Sequence, residues 1–221
     1  GFFGFCIHNY LMFAALEQTE AGKGAIINGA IPAIVMILNF LFYRQKITPL
    51  GFLGVALSFI GVILVVTGGK LHNLLNLNIN TGEFMFLIAI VGWSLYSIVA
   101  RPLLETYRPI WVTAYSCLTG GILMLPLLGL NLGPTLELLS DPFVVLILLT
   151  QGVLTMGLGF LWYYEGIKSI GPVNASMYLN LIPIFGVFLA MITIGETPTL
   201  PVLLGGGAVI FGVLMTNFKR L

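Results

Sequence analysis

The sequence predicts an all-α polytopic membrane protein with eight transmembrane helices, the first three recurring later as a second copy threaded the opposite way. Three observations predict it: where charge is missing, a repeat at long offset, and the side on which basic residues collect. The nine basic and eight acidic residues leave eight uncharged windows, at 1–16, 24–43, 47–69, 84–100, 109–136, 142–164, 169–195 and 197–218. A helix needs about 20 mainly apolar residues to cross hydrocarbon, and windows of about 17 to 25 suffice. Hydrophobic residues make up 58% and charged ones 8%, against roughly 25% charged in a soluble domain. Connections this short leave room for one membrane domain only.

Sliding the chain against itself by 151 residues, without a gap, superimposes two blocks. Ile31-Pro32 falls on Ile182-Pro183, Leu38 on Leu189, Thr48 on Thr199, Leu53-Gly54 on Leu204-Gly205, and Gly61-Val62 on Gly212-Val213. Orientation follows from the basic residues, which gather in cytoplasmic loops. Connections after helices two, four and six, with the tail, hold Arg44, Lys46, Arg101, Arg108, Lys168, Lys219 and Arg220, whereas the other connections hold Lys23 and Lys70. The C-terminus and Gly1 are therefore expected in the cytoplasm. Helices one to three match helices six to eight, and a displacement of five reverses the direction of crossing. Inverted repeats of this kind usually mark a transporter whose pathway lies between the copies.

Helix one begins at the chain start and carries His8, the one Asp, Glu, Lys, Arg or His side chain inside an uncharged window apart from His72 in the outer connection at 70–82. Intramembrane ionisable groups are functional candidates, and histidine changes charge near neutral pH, so His8 is the candidate for proton coupling. A neutral, hydrogen-bonded histidine is the alternative. Helix two contains Pro32, which removes a backbone donor and displaces the carbonyl of Asn28 one turn earlier. Helix three starts at Thr48-Pro49, an N-cap followed by proline at the first helical position. Its small row Gly54, Ser58 and Gly61 is a packing surface, matched by Gly205, Ala208 and Gly212 in helix eight.

Helix four opens with Thr81-Gly82-Glu83, where the positive end of the helix dipole favours a carboxylate. Trp93 and Ser97 then lie inside its window as a candidate cavity lining, a rigid ring with a donor suiting organic solutes. Helix five has Trp111 near its cytoplasmic end, where an interfacial belt would place it. Helix six carries Trp162 as a further candidate lining, and Glu165 with Lys168 as a solvated pair at its end. Lipid-facing or core packing is the alternative for each ring. Helix seven is broken by Pro183, with Asn180 three residues before it and Ser176 a turn earlier on the same face. Broken helices at membrane depth are tolerated where protein or a wet cavity surrounds the freed groups. Asn28, Ser176 and Asn180 therefore become candidate pathway residues, amides bonding neighbouring helices being the alternative. Helix eight is expected to start at Thr197-Pro198, with Glu196 as a second helix-start carboxylate. Its Gly205-Gly206-Gly207 follows no strand and is a poor phosphate loop.

Cys6 and Cys117 have neither disulfide nor metal-ligand spacing, and no paired acids fall at membrane depth, so neither metal nor cofactor is expected. A net charge of +1 leaves nucleic acid no basic cluster to bind. An intramembrane enzyme using Ser176 or Cys117 with His8 stays open on spacing, as does a membrane scaffold without transport.

The stretch AALEQTEAGKGAIINGAIPAIVMILNFLF followed by ITPLGFLGVALSFIGVILVV resembles the end of an EamA domain of the drug/metabolite transporter superfamily. TGEFMFLIAIVGWSLYSIVARPL resembles the opening of a second such domain, and YYEGIKSIGPVNASMYLNLIPIFGVFLAMITIGETPTLPVLLGGGAVIFGVLM its close. The most specific elements are Pro183 followed by Gly195-Glu196 and the glycine pattern of helix eight. The resemblance implies ten helices in two inverted sets of five around a central cavity. On that basis residues 1–68 are the last three helices of the first repeat and 81–221 the complete second. Gly1 is not an initiator methionine, and the resemblance implies an N-terminally truncated chain lacking two helices, about 60 residues by the repeat length. Arg44-Gln45-Lys46 stands where the first copy would usually carry Gly-Glu, which favours a capping role for that acid.

The resemblance also implies a secondary carrier in the cell (inner) membrane, an exporter of amino acids, other metabolites or drugs. Homodimer formation is the further assembly considered. Burying phosphate without Lys or Arg would be costly, so the expected partner is a neutral or zwitterionic small molecule.

Overall fold

Hydrocarbon offers the backbone no water to bond, so the apolar windows satisfy their peptide groups within helices. The computed structural model describes residues 1–19, 21–70, 81–129, 133, 136–137, 139–195 and 197–217, and among these it is helical with no strand. Eight helices follow the sequence windows among the described residues: α1 (Phe2–Leu16), α2 (Lys23–Tyr43), α3 (Pro49–Thr67), α4 (Thr81–Thr106), α5 (Pro109–Gly129), α6 (Pro142–Ile170), α7 (Pro172–Thr193) and α8 (Leu200–Asn217). Six of them, α2 to α7, are long and apolar enough to cross a membrane, and α1 and α8 are shorter apolar helices. His72 with 71–80, Glu20, Glu196, Lys219 and Arg220 lie outside the described residues.

Helix α4 is the most enclosed, and α1, α2, α5 and α6 pack around it. Its inward face joins Phe5, Ile31, Val35, Phe160 and Tyr164 in the main core. The most extensive helix pairing is that of α3 with α8. An ideal Cβ on Gly54 would lie 2.7 Å from the Gly212 carbonyl oxygen, and one on Gly61 would lie 2.6 Å from that of Gly205. Only glycine permits backbones this close. Gly54 opposes Gly212 while Gly61 opposes Gly205, so α3 and α8 run antiparallel. The predicted small-residue rows meet each other, with Ser58 fully buried between them.

The helix ends sort into two sets. Residues 45–48, Leu50, Gly51, Arg101, 170–174, Met215 and Thr216 line one cavity, at the end where α2, α6 and α8 finish and α3 and α7 begin. Residues 65–68, Lys70 and 197–199 share the opposite end. There Lys23 Nζ lies 3.0 Å from Glu83 Oε1, so the acid in the first turn of α4 also forms an ion pair.

Both proline helices break where expected. In α2 the first segment ends at Asn28, Ala30 N bonds Ile27 O at 3.0 Å in a tighter turn, and Pro32 is the second residue of Ile31–Tyr43. In α7 a 3₁₀ turn at Tyr178–Leu181 precedes Ile182–Ile194, with Pro183 second. Two wider π-type stretches, Phe2–Asn9 in α1 and Gln151–Gly159 in α6, fall at matching places in the 151-residue register. The caps match as well: Arg44 ends α2 with φ 51°, and Gly195 ends α7 with φ 69°.

Two details differ from the sequence reading. Thr48 caps α3 as expected, its Oγ1 accepting from Gly51 N at 3.1 Å. Helix α8 begins at Leu200 rather than at Pro198, and the Thr199 carbonyl accepts the first turn's bond from Leu203 N at 3.1 Å. Thr199 is the register partner of Thr48, and Pro198 lies before the first helical residue. Glu165 and Lys168 do not close an ion pair; the Glu165 carbonyl instead accepts from Ser169 Oγ at 2.7 Å.

Candidate functional site

The broken and π-wound stretches of α1, α2, α6 and α7 converge with the middle of α4 on a cavity of about 360 Å³. That volume is in the range of small-molecule sites. Five pairs of its lining residues are related by the 151-residue register: His8 with Gly159, Asn9 with Phe160, Met12 with Tyr163, Asn28 with Leu179, and Ile31 with Ile182. The cavity is therefore lined by residues from both ends of that sequence offset. Its walls differ in chemistry. The α1 and α2 side supplies imidazole and two amides, whereas the matching α6 and α7 positions supply a glycine, a phenyl ring and a leucine.

Trp93, from α4, forms the floor and is 6% exposed. Its ring centroid lies 4.9 Å from His8, 5.1 Å from Phe160 and 5.1 Å from Tyr163. The aromatic enclosure fixes the indole plane, and Ser97 helps to hold it. Ser97 Oγ donates to the Trp93 carbonyl at 2.9 Å and shares a 2.8 Å bond with the Tyr163 hydroxyl. His8 is held by Nδ1, which donates to the Ala89 carbonyl at 2.9 Å. A carbonyl can only accept, so Nδ1 carries the proton and Nε2 is left as the acceptor.

Among the described residues Asn28 Oδ1 is buried without a protein partner, and the Trp93 indole N–H faces the Tyr163 hydroxyl. A buried group left unsatisfied costs about 1–3 kcal/mol. Among the described residues, no Asp, Glu, Lys or Arg lines the cavity.

Of the residues singled out from sequence, His8, Asn28 and Trp93 line this cavity, and Ser97 supports it from behind. Asn180 and Ser176 do not line it. Asn180 Nδ2 donates to Ser58 Oγ at 2.9 Å, which turns the side chain into the α3–α8 contact. Ser176 is fully buried and donates to the Val173 carbonyl at 2.8 Å. Trp162 is 69% exposed and points out of the bundle, because its position on α6 is one removed from the cavity-facing Tyr163. Trp111 is exposed near its helix start, as an interfacial ring would be. Neither nucleophile considered above meets His8, since Cys117 Sγ approaches the Met156 carbonyl at 3.8 Å.

Sequence reasoning missed Asn9, Gln151, Thr155 and Tyr163. Gln151 and Thr155 are polar and four apart inside an uncharged window, the spacing of one helix face. The repeat register would also have carried His8 and Met12 across to Gly159 and Tyr163.

The model of the EamA-like transporter family matches residues 1–67 and 80–218. The uncharacterized transporter YyaM of Bacillus subtilis is 30% identical over 218 residues, covering 98% of this chain and 70% of that protein. An uncharacterized transporter of Archaeoglobus fulgidus is 24% identical, covering 100% of this chain and 76% of its own length. A protein of Streptantibioticus cattleyicolor named "Probable terminal-alkyne amino-acid exporter" is 24% identical over 92% of this chain and 66% of its own. A solved crystal structure, 14% identical, superimposes with a TM-score of 0.74 over 99% of this chain and 75% of that one, a likeness of fold.

Proposed function

The chain belongs to the EamA-like transporter family, and we propose that it works as a secondary active carrier, an exporter of small neutral or zwitterionic organic metabolites such as amino acids, or of drugs. The observation that carries this reading is the cavity lined by register-related pairs. Broken helices meeting around a site between two copies are what alternating access uses, one half rocking against the other around bound solute. The opposite directions of α3 and α8 support an inverted relation between residues 1–68 and 81–221, and the matched kinks, π stretches and caps support their equivalence.

Chemistry of the walls supports the solute class. The polar side chains of Asn9, Asn28, Gln151 and Thr155 can bond the polar end of a solute, and the apolar wall of Phe160, Leu179 and Ile182 can hold an organic side chain. A phosphorylated solute would enter without a cation to meet it. His8 is the group for proton coupling: Nδ1 stays on Ala89 in either charge state, and Nε2 takes up or releases the proton at the cavity wall. The name of the Streptantibioticus relative is consistent with amino-acid export. In the same reading the protein lies in the cell membrane with the end holding Lys46 and Arg101 in the cytoplasm.

Flux of a substrate panel into proteoliposomes holding the full-length protein tests the proposal. Gradient-driven movement of a neutral or zwitterionic solute, lost on Trp93→Ala with normal insertion, is expected. Absence of flux across the panel, or turnover of substrate without a gradient, would reject it.

A further inference from the structure

We infer that the end of the bundle where α2, α6 and α8 finish holds a separate seat for one phosphate-type oxyanion, centred on Arg101 and apart from the solute cavity. Arg101 lies near the end of α4. One of its terminal nitrogens, Nη1, donates to Asn39 Oδ1 at 3.0 Å and to Gln45 Oε1 at 3.0 Å. The two amides are tied together, Asn39 Nδ2 donating to Gln45 Oε1 at 2.8 Å. Below the guanidinium lies the ring of Tyr43, 4.9 Å from Cζ, itself fixed by a 3.1 Å bond from its hydroxyl to the Ile98 carbonyl. Every partner is neutral. The cation is held rigidly by groups that orient it without cancelling its charge.

A guanidinium has five N–H donors, and the contacts above all fall on Nη1. Nη2 and Nε form the planar fork that grips two oxygens of a phosphate or carboxylate at once. Arg101 lines a cavity of about 200 Å³. Lys46 lines it too, and among the described residues no Asp or Glu does. Two cations thus line one concave space, an arrangement that is repulsive when empty and favourable when an anion fills it. Glu105, one turn along α4, forms no ion pair with Arg101 among the described residues.

The shared chemistry is a phosphate oxyanion, and it can come from an anionic lipid headgroup or from a soluble phosphate. Two arms separate these sources, using the full-length protein and measuring binding without transport. In detergent, inorganic phosphate is titrated while the unfolding temperature is followed by tryptophan fluorescence. In nanodiscs, retention of phosphatidylglycerol against phosphatidylcholine is counted by native mass spectrometry. A response in the first arm assigns a soluble anion, and one in the second assigns lipid. Either must fall about tenfold in Arg101→Gln, the loss of one charge-assisted pair, and stay unchanged in Arg108→Gln, an exposed cation nearby. If Arg101→Gln fails to insert, Lys46→Gln decides, since Lys46 is exposed and a severalfold loss is expected of it. No response in either arm, or a response that these variants leave intact, overturns the inference. Because no flux is read, this result stands or falls separately from the carrier proposal.

Discussion

Replacing Gly61 by alanine puts a methyl group against backbone that has nowhere to go. The new Cβ would sit 2.6 Å from the Gly205 carbonyl oxygen, where ordinary contact starts at 3.4 Å, so α3 and α8 must part by about 0.8 Å at that level. No rotamer change relieves this, because the opposing atom belongs to the main chain. Gly207→Ala is the matched control on α8, where a Cβ meets nothing within 4 Å. Both substitutions gain the same helix propensity, about 1 kcal/mol, so it cancels between them. What remains is overpacking, and Gly61→Ala should be less stable than Gly207→Ala by about 1–3 kcal/mol. Gly212→Ala, whose Cβ would lie 2.5 Å from the Gly54 carbonyl oxygen, should match Gly61→Ala, since the two sites are register partners in one contact. Equilibrium unfolding in mixed detergent and dodecyl sulfate micelles measures these differences. Equal stability of Gly61→Ala and Gly207→Ala would refute the close antiparallel packing.

Three further outcomes are expected. In proteoliposome flux, Asn28→Leu and Trp93→Ala should each lower transport about tenfold or more, having removed a polar lining residue and the ring enclosed at the cavity, while Trp162→Ala stays near wild type. Ser58→Ala strands the buried Asn180 amide and should cost about 1–3 kcal/mol in the same unfolding assay, against less for Ser176→Ala, whose hydroxyl bonds only its own helix. Arg44 takes the left-handed conformation, with φ 51°, that glycine takes at the register partner Gly195. Arg44→Gly should therefore raise stability by about 1 kcal/mol, read as a higher unfolding midpoint.

Much of the architecture was legible because membranes impose strong rules on sequence. Charge can sit only at the ends of helices, so the gaps between Lys23, Arg44, Lys70, Arg101 and their neighbours outline the helices directly. Repeat register was legible too, and it reached finer detail than single residues did. Pro32 and Pro183 named the breaks, and the same offset relates the π stretches, the two left-handed caps and five pairs of cavity residues. What escaped was the direction in which each side chain points. Asn180 and Asn28 look alike in sequence, one turn or less before a proline. Yet the 3₁₀ turn at Tyr178–Leu181 rotates Asn180 towards Ser58, and Leu179 takes the place facing the cavity. Trp162 and Tyr163 differ by one position, which is about 100° around the helix, enough to put one in the cavity and the other outside. The start of α8 was misjudged because Thr197-Pro198 and Thr199 with Pro201 offer two similar caps. Register with Thr48 would have chosen the second.

The central claim is that equivalent segments of the two copies cross the membrane in opposite directions. Lys46 and Thr197 are register partners, so cysteines placed there one at a time, with Cys6 and Cys117 replaced, test it most directly. A membrane-impermeant maleimide applied to intact cells should label Thr197→Cys and spare Lys46→Cys, and inside-out vesicles should reverse the pattern. Labelling of both positions from the same side would contradict the account.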